Sequence, residues 1–62
     1  MTAMRYSDQD KLKCVERELK IRQRVYANRI LTHRMSRLQA DRELAIMAEI
    51  AEDYRARAQL PL

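Results

Sequence analysis

Two stretches of the chain repeat apolar residues at helical spacing, with a short polar interruption between them. In the first, Leu12, Val15, Leu19, Tyr26 and Ile30 fall within about 60° of one another at 100° per residue, which predicts an amphipathic helix. In the second, Ala40, Leu44, Met47, Ala51, Tyr54 and Ala58 follow a 4-3-4-3-4 spacing, with Ala48 beside them. That is a coiled-coil seam whose small residues let a partner helix approach closely.

Capping chemistry sets the boundaries, because the chain has no Gly and a single Pro. Ser7 ahead of Asp8 and Asp10 supplies an N-cap hydroxyl and first-turn carboxylates, so the first helix begins near Asp8 and runs to about residue 32. Ser36 with Gln39 three residues on is a capping box, and Met35 and Ala40 are placed to staple across it. The second helix therefore covers about 37–58, with Pro61 blocking its continuation and residues 1–7 and 59–62 expected to fray. A turn at about 33–36 without Gly needs a residue that tolerates positive φ, and His33 is the candidate. The expected fold is all-α, an antiparallel two-helix hairpin.

A second apolar set changes this picture. Cys14, Ile21 and Val25 cluster on another face of the first helix, separated from the main stripe by Glu18, Arg22 and Arg29. Glu18 and Arg22 are spaced to pair locally, four residues apart. Ile46 and Ile50 lie off the seam of the second helix. One hairpin cannot cover both sets, so Cys14, Ile21, Val25, Ile46 and Ile50 are assigned to a homodimer interface, most simply a four-helix bundle of two hairpins. The main stripes read as core, and a ligand groove between them is a minor alternative.

Chain length points the same way. At 62 residues and 7.4 kDa, a compact fold would bury roughly 6,500 Å². The apolar gain and the conformational cost each come to roughly 90–100 kcal/mol and nearly cancel. A single hairpin is therefore marginal and gains from self-association or a partner.

Charge is uneven. Residues 1–40 hold ten Lys/Arg and four Asp/Glu, whereas residues 41–62 hold three and five, so the net +4 resolves into +6 and −2. Lys13, Arg17, Lys20 and Arg24 form one stripe at 4-3-4 spacing, continued by Asn28, opposite the apolar arc. Such a stripe serves first as a solvated face, and its functional readings are phosphate-backbone binding or docking to an acidic protein. Sequence-specific DNA readout lacks support: a helix-turn-helix needs a third helix, and of three tyrosines Tyr26 and Tyr54 fall on core faces, leaving Tyr6.

Catalytic constellations are missing. Cys14 and His33 are the one nucleophile–base pair, and 19 residues of helix hold them roughly 28 Å apart. Cys14 reads instead as a small buried apolar residue and His33 as a turn residue without metal-ligand companions. Glu49, Glu52 and Asp53 lie near Arg42 and Arg57, and internal pairing accounts for them. No Gly-rich phosphate loop is available. The expectation is a protein that is not an enzyme and takes no cofactor, metal or small-molecule substrate. A lone Cys and the lack of an apolar leader or an 18-residue apolar run argue for a cytoplasmic chain with no membrane segment.

The segments Lys11-Leu12-Lys13-Cys14-Val15-Glu16-Arg17-Glu18-Leu19, Arg22-Gln23-Arg24-Val25-Tyr26, Arg34-Met35-Ser36, Ala40-Asp41-Arg42-Glu43-Leu44-Ala45-Ile46-Met47 and Ile50-Ala51-Glu52-Asp53-Tyr54-Arg55 resemble a group of short uncharacterised proteins of bacteriophages and prophages. Members tend to carry Pro where this chain has Ala27, and Gly near Arg34, so the first helix is expected to be unkinked here. The resemblance implies a bacterial cytoplasmic setting. The sequence thus points to a small accessory or regulatory protein acting through self-association and contacts with a host or phage protein. The alternative is a nonspecific DNA- or RNA-binding module.

Overall fold

The computed structural model of the chain describes residues 5–59, which form two α-helices, α1 over Asp8–Leu31 and α2 over Arg37–Ala58, packed against each other. Both starts are built as capping requires. The Ser7 hydroxyl accepts from the backbone N–H of Asp10 at 3.0 Å, and the Ser36 hydroxyl accepts from that of Gln39 at 3.1 Å. Each bond satisfies one of the amides that a helix start leaves unpaired. The reciprocal half of the Ser36 box, from the Gln39 side chain, is not formed among the described residues. Met35 is half-buried and Ala40 buried.

α1 is continuous through Ala27 and ends on Thr32, whose N–H and hydroxyl both return to the Asn28 carbonyl at 3.0 Å. His33 follows with φ 59°, the left-handed conformation that reverses the chain in the absence of glycine. The Arg34 N–H then donates to the Arg29 carbonyl at 2.8 Å, closing the helix end. α2 stops at Ala58 with Gln59 as its C-cap, and Arg55 and Arg57 in its last turn complement the helix dipole. The expected role of Pro61, and fraying of residues 1–4 and 60–62, lie outside the described residues.

Where the helices meet, the sidedness matches the pattern in the sequence. Leu12, Tyr26, Ala40 and Ala51 are buried, while Val15, Leu19, Ile30, Leu44, Met47, Tyr54 and Ala58 are half-buried around them. The two alanines are the most enclosed, at 1% and 2% exposed, because the helices cross closely there. Ala48, beside the seam, is exposed. One ion pair bridges the helices: Arg55 Nη2 donates to Glu16 Oε2 at 2.7 Å. The helices run antiparallel, and the Arg55 side chain reaches across the seam to Glu16.

Such a pair of helices has a thin core. The chain exposes 5570 Å², against about 4,200 Å² for a compact globule of its mass, and its radius of gyration is 14.8 Å against about 10.6 Å. No side chain larger than alanine is fully enclosed among the described residues. No helix among them is long and apolar enough to cross a membrane.

Candidate interaction surfaces

The second apolar set lies on the surface of the hairpin. Ile21, Val25, Ile46 and Ile50 are between 37% and 42% exposed. Counting around each helix at 100° per residue puts Val25, Ile46 and Ile50 on the flank opposite the Glu16–Arg55 bridge, while Ile21 sits farther round α1, where it also edges the groove of Lys13, Arg17, Lys20 and Arg24. On α1 a groove there is lined by Glu18, Ile21, Arg22, Val25, Tyr26 and Arg29.

Cys14 is exposed in the single hairpin, like Ile21 and Val25, with which it shares a face of α1. It stands two turns before Ile21 on the same face, nearer the start of α1. Its groove is formed with Tyr6, Asp10 and Lys11. Two further exposed side chains escaped the periodicity argument: Leu31 and Leu38, 78% and 82% exposed, flank the turn. Their signal was present, since each falls off the main stripe of its own helix.

Polar groups between the apolar sets are tied together. Arg22 Nε donates to Glu18 Oε1 at 3.2 Å, and Arg22 Nη1 donates to the Tyr26 hydroxyl at 3.4 Å. These bonds raise the Arg22 pKa above its ordinary value, the tyrosine contact first and the carboxylate second. Tyr26 thereby keeps a partner for its hydroxyl while its ring is buried. The Arg55 pKa is likewise raised, chiefly by its hydrogen bond to Glu16.

The acidic part of α2 pairs differently from the sequence expectation. Glu52 accepts from Arg55 at 2.5 Å, and Arg42 pairs with Glu43 at 3.5 Å. Arg57 instead lies 5.3 Å from the Tyr54 ring centroid. Arg55 is one turn from Glu52 and aimed along the same flank, whereas Arg57 is three residues from Tyr54 and covers the ring.

Lys13, Arg17, Lys20 and Arg24 are brought together as the pattern requires. All four are exposed and line one shallow groove on the outer side of α1, with Glu16 and Ile21 at its edges. Asn28 is exposed further along the helix. Among the described residues none of these four cations makes an ion pair or lies over a ring. Elsewhere Lys11 lies 5.8 Å from the Tyr54 centroid and Arg29 5.9 Å from that of Tyr26.

Cys14 and His33 sit at opposite ends of α1, too far apart to act together. No three His, Cys, Asp or Glu side chains gather into a metal-ligand group among the described residues. Comparison with protein-family models, curated proteins and solved structures finds no match.

Proposed function

We propose that this chain is a small non-enzymatic interaction protein that self-associates through the flank carrying Ile21, Val25, Ile46 and Ile50. The observation that carries the reading is the exposure of four aliphatic side chains, Ile21, Val25, Ile46 and Ile50, on a hairpin with so thin a core. Two hairpins meeting on that flank form a four-helix bundle and give each chain the apolar cover it lacks. A typical interface takes about 800 Å² from each partner, less than the roughly 1,400 Å² by which this chain's surface exceeds that of a compact globule. Cys14 belongs at the margin of such an interface.

In this reading the protein works as an accessory or regulatory factor in a bacterial cytoplasm, in line with the phage-protein resemblance, and contacts a host or phage protein as a dimer. Co-expression of two differently tagged copies tests the first half. Each tag should recover the other copy, and Ile46→Lys with Ile50→Lys should abolish recovery. Capture after nuclease treatment tests the second half. One defined protein retained by the wild type and lost by the double variant supports the accessory role, whereas an empty, intact dimer contradicts it.

A further inference from the structure

We infer that the outer ridge of α1, Lys13, Arg17, Lys20 and Arg24, is a docking surface for the phosphate backbone of a nucleic-acid duplex. The ridge lies on the outer side of α1 and adjoins the proposed dimer flank at Ile21, which lines both.

Among the described residues, six of the nine other cations are engaged, and Arg5, Arg34 and Arg37, like the ridge, are not; what distinguishes the ridge is that its four cations are gathered in one groove. Arg22, Arg42 and Arg55 are held by carboxylates, and Lys11, Arg29 and Arg57 lie over tyrosine rings. The ridge cations have neither kind of partner among the described residues and share one groove. Glu16 is the one carboxylate at its edge, and Arg55 already engages it at 2.7 Å. The local charge is therefore an uncompensated row of four. Along the axis the row covers roughly 16 Å, the length over which one strand of a duplex presents about five phosphates.

Partner chemistry follows from what surrounds the row. Protein interfaces centre on desolvated apolar or aromatic anchors and are depleted in lysine. Here the row is half lysine, and Ile21 is its one aliphatic neighbour. Single strands are held by exposed aromatic rings on which bases stack. Tyr26 is buried, Tyr54 is half-buried beneath Lys11 and Arg57, and the one exposed ring, Tyr6, lines a different groove with Asp10, Lys11 and Cys14. Regularly spaced phosphates need neither anchor nor ring. The contact is to backbone alone and carries no base preference.

Fluorescence anisotropy of the full chain with a labelled mixed-sequence DNA duplex tests this. Four phosphate contacts predict a log–log salt slope near −3.6, so affinity should fall about 150-fold between 50 and 200 mM salt. Lys13→Gln should make the slope shallower by about 0.9. Lys20→Glu with Arg24→Glu should abolish binding, while Arg34→Glu with Arg42→Glu, of equal net charge, should retain it at unchanged helicity. Equal loss in both double variants would reduce the effect to net charge and overturn the assignment. It is also overturned if the duplex does not bind at the lower salt, or if polyglutamate or the single strand competes better than the duplex.

Discussion

Ala51 and Ala48 carry the same side chain on the same helix, three residues apart, yet one is 2% exposed and the other lies open to solvent. Replacing each with Glu isolates the contribution of close helix packing. The helix-propensity cost, at most about 0.7 kcal/mol, is common to both and cancels in the comparison. At position 51 the larger side chain must push the helices apart, which costs about 1–3 kcal/mol. A carboxylate held in the seam adds at least about 1–3 kcal/mol unless a cation meets it. Arg55, one turn away, is already engaged by Glu16 and Glu52. Ala51→Glu should therefore cost about 2–6 kcal/mol more than Ala48→Glu, which stays within about 0.5 kcal/mol beyond the shared propensity term. Urea unfolding followed by far-ultraviolet circular dichroism, at matched protein concentration, reads the difference. With a slope near 1 kcal/mol per molar urea, the midpoints should differ by about 2 M or more, or Ala51→Glu should not fold. Equal midpoints would refute the close crossing at Ala51.

Other positions give independent checks. Leu12→Ala should destabilise by about 2–5 kcal/mol by the same unfolding assay, a large share of what a core this thin supplies. Ser36→Ala should cost about 1 kcal/mol through the lost N-cap of α2. At the turn, His33→Gly should be neutral or mildly stabilising and His33→Val should cost about 1–2 kcal/mol, since a β-branched residue resists φ near 59°. Cys14 should react with a thiol reagent at the rate of an exposed cysteine in dilute solution, and more slowly as concentration rises, as expected of a residue at the margin of the proposed interface.

Much of the fold was legible because local chemistry and periodicity agree. Ser7, Ser36 and His33 marked the helix starts and the reversal, and the 4-3-4-3-4 seam named the buried face of α2 before any packing was considered. What escaped the sequence depends on relative placement. Spacing could bring Glu49, Glu52, Asp53, Arg42 and Arg57 into one neighbourhood, but the choice of Arg55 for Glu52 and of Tyr54 for Arg57 depends on side-chain direction along the helix. The interhelical bond from Arg55 to Glu16 spans 39 positions and has no local signature.

Whether the proposed dimer flank is covered by a second copy is decided most directly by sedimentation equilibrium at micromolar concentration. The wild type should sediment at twice the 7.4 kDa chain mass, and Ile21→Lys with Ile50→Lys should sediment as single chains of reduced helicity. A wild-type species of one chain mass, fully helical and with a melting temperature independent of concentration, would contradict the account.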